Sequence, residues 1–275
     1  MSKKKLYFTT TEIAPFANVT SLAKFSGSIP LFLQEKGHDI RTIIPKYGYI
    51  SERKYILREV IRLRDIPFEF HGEQQSASAK SAFIPKTRVQ VYFLEDEYWF
   101  SPLTNLLYKA KNGRILADNS QRFAYFTKAV LATLPHLFWV PDIFICNDWQ
   151  SALLPGMYNK HFKDSNDFYK SIKTLLVVHS NNQYAEFSRE ELMLANIDIH
   201  PSLNGDFLNI FEVAAFETDF IVILDTSSNQ ISSDLLKLDS FKTNSNKISV
   251  LNIENEEKPN YHKISEEIDK IISKL

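Results

Sequence analysis

The chain has 275 residues, is 44% hydrophobic and 13% aromatic, and carries one cysteine and only 7 glycines. That apolar content excludes a disordered chain, and a lone cysteine excludes a disulfide framework. Lys plus Arg 32 against Asp plus Glu 33 leaves a formal net charge of −1, without the basic excess that nucleic acid or an anionic membrane selects.

The basic start at Met1 to Lys5 leads into a stretch too short and polar for a secretion signal. No run of about 18 apolar residues is present, so a soluble cytoplasmic protein is expected, with neither membrane nor nucleic acid as partner. Lys5 to Thr9 (KLYFT) predicts a first strand, broken by Ala14-Pro15. Leu22, Phe25, Ile29 and Leu33 recur at helical spacing. Pro30 within that pattern predicts a kink or a late start, and Gly37 the stop. His38 to Pro45 (HDIRTIIP), β-branched and closed by proline, predicts the next strand. This βαβ opening points to a parallel sheet.

From Ile56 to Leu94 the pattern turns to period two in VIRLRDI, IPFEFHG and RVQVYFL, with polar loops between them that include 76–81. An antiparallel hairpin insertion is expected there. From Asp118, the residues Phe123, Phe126, Val130, Leu134 and Leu137 form one apolar stripe of a helix. Pro141 introduces a buried strand, DIFICND, ending at Asp148. A helix is expected over Trp149 to Phe162, and buried strands over Thr174 to His179 and Phe220 to Asp225. Ligands of open α/β sheets bind beyond the carboxyl ends of the strands, which singles out Asp148, His179 and Asp225. The predicted fold is a three-layer, Rossmann-like α/β domain over 1–228. Residues 229–275 are expected to be a polar tail with a short strand (248–253) and a final helix that docks on the domain; fewer than 50 residues are too few for a second core.

No local motif decides the chemistry alone. G-x-G-x-x-G and G-x-x-x-x-G-K-[ST] are both absent, the histidines lack metal-ligand spacing, and Cys146 inside IFIC reads as inert core. Neither cofactor nor metal is expected.

The ordered set of short motifs says more. It comprises Glu12-Ile13-Ala14-Pro15-Phe16-Ala17, Lys36 to Asp39, Ile44 to Gly48, Asn112-Gly113, Asp118-Asn119, Arg122-Phe123 with Phe126, Cys146-Asn147-Asp148-Trp149, Val178-His179 and the segment Asn209 to Asp219. Together these resemble the N-terminal catalytic domain of bacterial glycogen synthases and plant starch synthases, over residues 4 to 228. The resemblance implies one half of a two-domain, B-type glycosyltransferase fold. It also implies an activity that transfers glucose from ADP-glucose to an α-1,4-glucan with retention. In the family this domain mostly holds the acceptor glucan and lends a K-x-G-G-L loop to the donor phosphates. Carried over residue by residue, Asp148 and His179 are the candidate catalytic pair, and Glu12 and Trp149 candidate substrate-binding residues. Bland readings stand beside these: Asp148 as a helix cap, His179 as a satisfied buried histidine.

The departures fall on the phosphate loop. For K-T-G-G-L-A-D this chain has Asn18 to Lys24, so the lysine is Asn18, the glycines are Thr20 and Ser21, and the aspartate is Lys24. Lys24 becomes a candidate substrate-binding residue, as a replacement charge one turn away. Gln150 stands for the histidine of N-D-W-H, Ser180 for the asparagine after His179, and Glu212, Val213 and Ala214 for a lysine and two glycines. The nucleotide-binding second domain would begin where this sequence stops. The expectation is therefore a glucan-binding or regulatory module, inactive alone, with an α-glucan or maltooligosaccharide as partner. The alternatives are a transferase subunit completed in trans by a protein that supplies the nucleotide-binding domain, and a protein-interaction domain without glucan binding.

Overall fold

The structure is a computed structural model, and it describes residues 3–275. Met1 and Ser2 of the basic start lie outside the described residues. A ten-stranded sheet forms the centre, in the order β12-β11-β8-β7-β1-β2-β6-β5-β3, with β4 on β5. The strands are β1 Lys5–Thr9, β2 Asp39–Pro45, β3 Arg58–Glu59, β4 Ile66–Phe70, β5 Glu73–Phe83, β6 Gln90–Glu95, β7 Ile143–Asn147, β8 Lys173–Val178, β11 Phe220–Thr226 and β12 Ile248–Ile253. A separate antiparallel pair joins β9 Glu186–Ser188 to β10 Phe207–Asn209. Every pairing from β12 through to β6 is parallel. These strands read as continuous apolar runs because helices cover both faces of the sheet.

Among the described residues, the helices of eight or more residues are α1 Ser21–Glu35, α2 Asn119–Thr133, α3 Ile210–Glu217 and α4 Tyr261–Ile272. Alternation along the strands divides the core. Leu6, Phe8, Ile143, Ile145, Leu175, Val177 and Val222 face Phe25, Ile29 and Leu33 of α1 and Ile264, Ile268 and Ile272 of α4. Tyr7, Phe144, Cys146, Leu176, Val178 and Ile223 face the other way, toward Phe123, Phe126 and Val130 of α2 and Phe211 and Ala214 of α3. The result is a three-layer α/β fold. Cys146 is fully enclosed on the second face, and burial raises its thiol far above the ordinary range.

Several expectations are corrected. α1 starts at Ser21 and runs through Pro30 unbroken; the proline only deprives the Ser26 carbonyl of its i+4 donor. Gly37 does stop it, with φ +99, while the Gly37 and His38 amides close onto Gln34 and Leu33. VIRLRDI holds a 3-10 turn at Ile61–Leu63, not a strand. The 76–81 stretch is no loop but the centre of β5, with Ala77 and Ala79 buried. Its alternation of serine and alanine carries almost no hydropathy signal. RVQVYFL supplies β6, which pairs antiparallel with β5 and also parallel with β2, so it belongs to the main sheet. The expected helix 149–162 is three short pieces, 3-10 at Trp149–Ser151, α at Leu154–Met157 and π at Tyr158–Phe162.

Residues 248–253 extend the sheet as β12, parallel to β11. α4 lies against α1, and a buried pair fastens it there. His38 Nε2 donates to Asp269 Oδ1 at 2.8 Å, while His38 Nδ1 accepts the Lys4 amide at 3.1 Å. No helix among the described residues is long and apolar enough to cross a membrane.

Candidate functional site

The strand order reverses at β1: the chain runs outward through β2 and β6 on one side and through β7, β8 and β11 on the other. Beyond the carboxyl ends at such a switch point the flanking loops part, leaving a crevice. Here that crevice is a cavity of about 190 Å³, walled by the start of α1 (Thr20, Ser21, Leu22), by Asp148, Trp149 and Gln150 after β7, and by His179 and Ser180 after β8. Tyr108, Asn182 and Tyr184 complete the wall.

Asp148 is 4% exposed and sits at φ +59, ψ −172, a region that is essentially glycine's. Its side chain makes no cap hydrogen bond to the following 3-10 turn. Its carboxylate instead accepts the amides of His179 (3.1 Å) and Ser180 (3.0 Å) on Oδ1 and the Ser180 hydroxyl (2.8 Å) on Oδ2. It thus ties the ends of β7 and β8 together. Burial pushes its pKa up to about 6, against the pull of those hydrogen bonds.

His179 is half-buried, its ring edge-on to Phe25 at 4.4 Å between centroids. Nε2 lies 3.4 Å from Asn147 Oδ1, beyond the usual hydrogen-bond distance of about 3 Å. Burial lowers its pKa to about 3. At neutral pH the crevice therefore contains a neutral imidazole beside a carboxylate, a set suited to hydrogen-bonding hydroxyl groups.

Glu12 points inward and is absent from the cavity wall. It is 0% exposed, and its carboxylate accepts the Val19 and Thr20 amides (2.7 Å each), the Thr20 hydroxyl (2.9 Å) and the Tyr108 hydroxyl (2.8 Å). It is the clamp that shapes the loop entering α1. Thr20 in turn caps α1 by accepting the Leu22 amide. The amides of residues 19 and 20 are thereby already occupied.

Trp149 lines the cavity but is 2% exposed, with Tyr184 stacked on it at 5.8 Å and Tyr108 and Phe123 set edge-on. Lys24 is exposed on α1 and is not part of the wall. The structure thus gathers Asp148, His179 and Trp149 and leaves Glu12 and Lys24 outside. It adds Gln150 and Ser180, which depart from the family's motifs, and Tyr108 and Tyr184, whose irregular segments give no pattern from which to place them. Gln150 is 2% exposed, and among the described residues its Oε1 has no hydrogen-bond partner.

The family model for the starch synthase catalytic domain matches residues 5–239. The chain belongs to that family. Starch synthase-type relatives include the glycogen synthase of Chlorobium limicola, 36% identical over 176 residues, 64% of this chain and 36% of that protein. The glycogen synthase of Chlorobaculum parvum is 31% identical over 239 residues, 84% of this chain and 48% of its own length. The chain therefore spans half or less of these relatives. The catalytic domain of starch synthase IV from Arabidopsis thaliana, bound to ADP and acarbose, shares the fold with a TM-score of 0.76 at 21% identity, covering 91% of this chain and 51% of that one.

Proposed function

We propose that this starch synthase-family domain serves α-glucan metabolism as a glucan-binding or regulatory module and does not transfer glucose by itself. The observation that carries this is the loop before α1. The positions of the family's lysine and glycines hold Asn18, Thr20 and Ser21, and Glu12 occupies the amides of residues 19 and 20. Among the described residues, no lysine or arginine lines the crevice. Expulsion of a diphosphate depends on preorganised positive charge at the leaving group. Loss of one charged hydrogen bond to it forfeits roughly 1.5–3 kcal/mol, one to two decades of affinity. In this reading Asp148, His179 and the rim near Trp149 contact sugar hydroxyls, Lys24 lies too far out to replace the lysine, and Glu12 acts through the loop.

Titration calorimetry with ADP, ADP-glucose and maltohexaose tests it: maltohexaose binds and the nucleotides do not. Glucose incorporation from ADP-glucose by the purified chain would refute it. A second reading is a transferase half completed in trans. Backbone strain and a buried carboxylate, both present at Asp148, concentrate at functional sites. That reading predicts incorporation only after a chain supplying the nucleotide-binding domain is added. If glycogen fails to retard the protein in affinity electrophoresis, a protein-interaction role replaces both.

A further inference from the structure

A second cleft, of about 630 Å³, lies at the β3 end of the sheet, with β2, β6 and β5 between it and β1. It is walled by Lys54, Tyr55 and Ile56 at the end of the short helix Glu52–Tyr55, by Arg58 of β3, and by Phe83 and Pro85 at and beyond the end of β5. Ile56 ends that helix in the left-handed conformation, φ +53, where glycine is usual and a β-branched residue is strained. Burial does not offset the strain, because Ile56 is 66% exposed; Phe83 is 57% exposed.

The same turn opens the sheet edge. β3 is only Arg58–Glu59, paired with Ser81 and Lys80. Its continuation would set residue 56 opposite Phe83, but the turn at Ile56 takes the chain elsewhere. Ile84 donates its amide to the Val89 carbonyl on the β6 side. By the alternation of an antiparallel ladder, the N–H and C=O of Phe83 therefore point the other way, to the open edge. The charge there is of one sign. Glu52 and Glu59, the acids nearest in sequence, are held by Lys46 and Lys80 and by Arg64. Lys54 lies over the Tyr55 ring at 4.9 Å. Among the described residues neither Lys54 nor Arg58 has a carboxylate partner, and no acid lines the cleft.

We propose that this cleft docks an extended segment of a partner protein, which adds as a strand beside Phe83. Its carboxylates meet Lys54 and Arg58, and a large apolar side chain sits against Ile56 and Phe83. An open edge is complemented by another strand; the unpaired cations set the sign of that segment, and the exposed apolar pair sets its need for an aliphatic or aromatic residue. The inference is independent of what the switch-point crevice binds.

The test selects a displayed library of random peptides on the full chain and measures the recovered peptides by fluorescence anisotropy. They carry Asp or Glu beside a large apolar residue, and they protect the Phe83 amide from exchange. Ile56→Asn, which suits the left-handed turn and removes the apolar surface, weakens them about tenfold without lowering Tm. Lys54→Glu, at an exposed position, weakens them about fivefold and leaves retardation by glycogen unchanged. Failure to recover any peptide overturns the inference, as do basic or uncharged consensus sequences, an unprotected Phe83 amide, or wild-type affinity in either variant. Sedimentation of the free chain and flotation with phosphatidylserine vesicles test the other occupants. A dimer that Ile56→Asn dissolves assigns the cleft to a second copy, vesicle binding lost in Lys54→Glu assigns it to a lipid surface, and either result overturns the partner segment.

Discussion

At the scale of single residues the crevice contains two groups whose titrations oppose each other. The pKa of Asp148 rises from 3.8 to about 6 on folding, so the native state holds that proton longer than the unfolded chain does. Its stabilising contribution is complete below pH 4 and is lost as pH rises through 6, on the order of 3 kcal/mol in all. The pKa of His179 falls from 6.5 to about 3, so the unfolded chain takes up that proton first. Its contribution is complete above pH 6.5 and is lost as pH falls toward 3. Between pH 4 and 6 the two slopes largely cancel. Asp148→Asn is therefore expected to be more stable than wild type at pH 7 and to lose stability steadily below pH 6.5, while His179→Gln becomes more stable as the pH is lowered. Urea unfolding from pH 4 to 8 measures this, and parallel profiles for all three proteins would contradict it. Glu12→Ala acts differently. It removes the acceptor of the part-buried Val19 and Thr20 amides, while the Tyr108 hydroxyl keeps Thr11, at a cost of roughly 2 kcal/mol, visible as a lowered urea midpoint. Asp148 and His179 were legible in the sequence because each ends an apolar run. The inward turn of Glu12 was not, since it depends on where the 13–20 loop returns.

At the scale of elements, the strands found from sequence are those with long apolar side chains, and β5 was missed because alanine and serine alternate there. The tail shows the reverse. The isoleucine spacing of α4 predicted an amphipathic helix, and Ile264, Ile268 and Ile272 are indeed buried against α1 and the sheet. Nothing in the spacing disclosed its polar anchor, because His38 and Asp269 lie 231 residues apart. Asp269→Ala leaves the His38 Nε2–H buried and unpaired, and a destabilisation of about 1–3 kcal/mol is expected. Amide exchange locates the effect: α4 loses protection before the β1–β7–β8 core does. Uniform loss across the chain would mean that α4 is an integral part of the core and not an element that opens separately.

At the scale of the whole molecule, scarce glycine and the loop before α1 are aspects of one trade. Thr20 caps α1 and donates to Glu12, so the position that would bring backbone close to a phosphate in the family is used here for stability. Glycine at 20 and 21 would let the backbone approach an anion without Cβ interference, and lysine at 18 would supply the charge. The triple variant Asn18→Lys, Thr20→Gly, Ser21→Gly is accordingly expected to bind ADP about tenfold more tightly than wild type, one lysine contact's worth. It should also be less stable by roughly 1–2 kcal/mol, from the lost hydroxyl bond and the freer unfolded chain. Calorimetry and urea unfolding on the same preparation read both halves. A gain in affinity without a loss of stability would show that Thr20 and Ser21 stabilise nothing, and a loss of stability without a gain would show that the Glu12 clamp, not the missing side chains, is what closes the loop to phosphate.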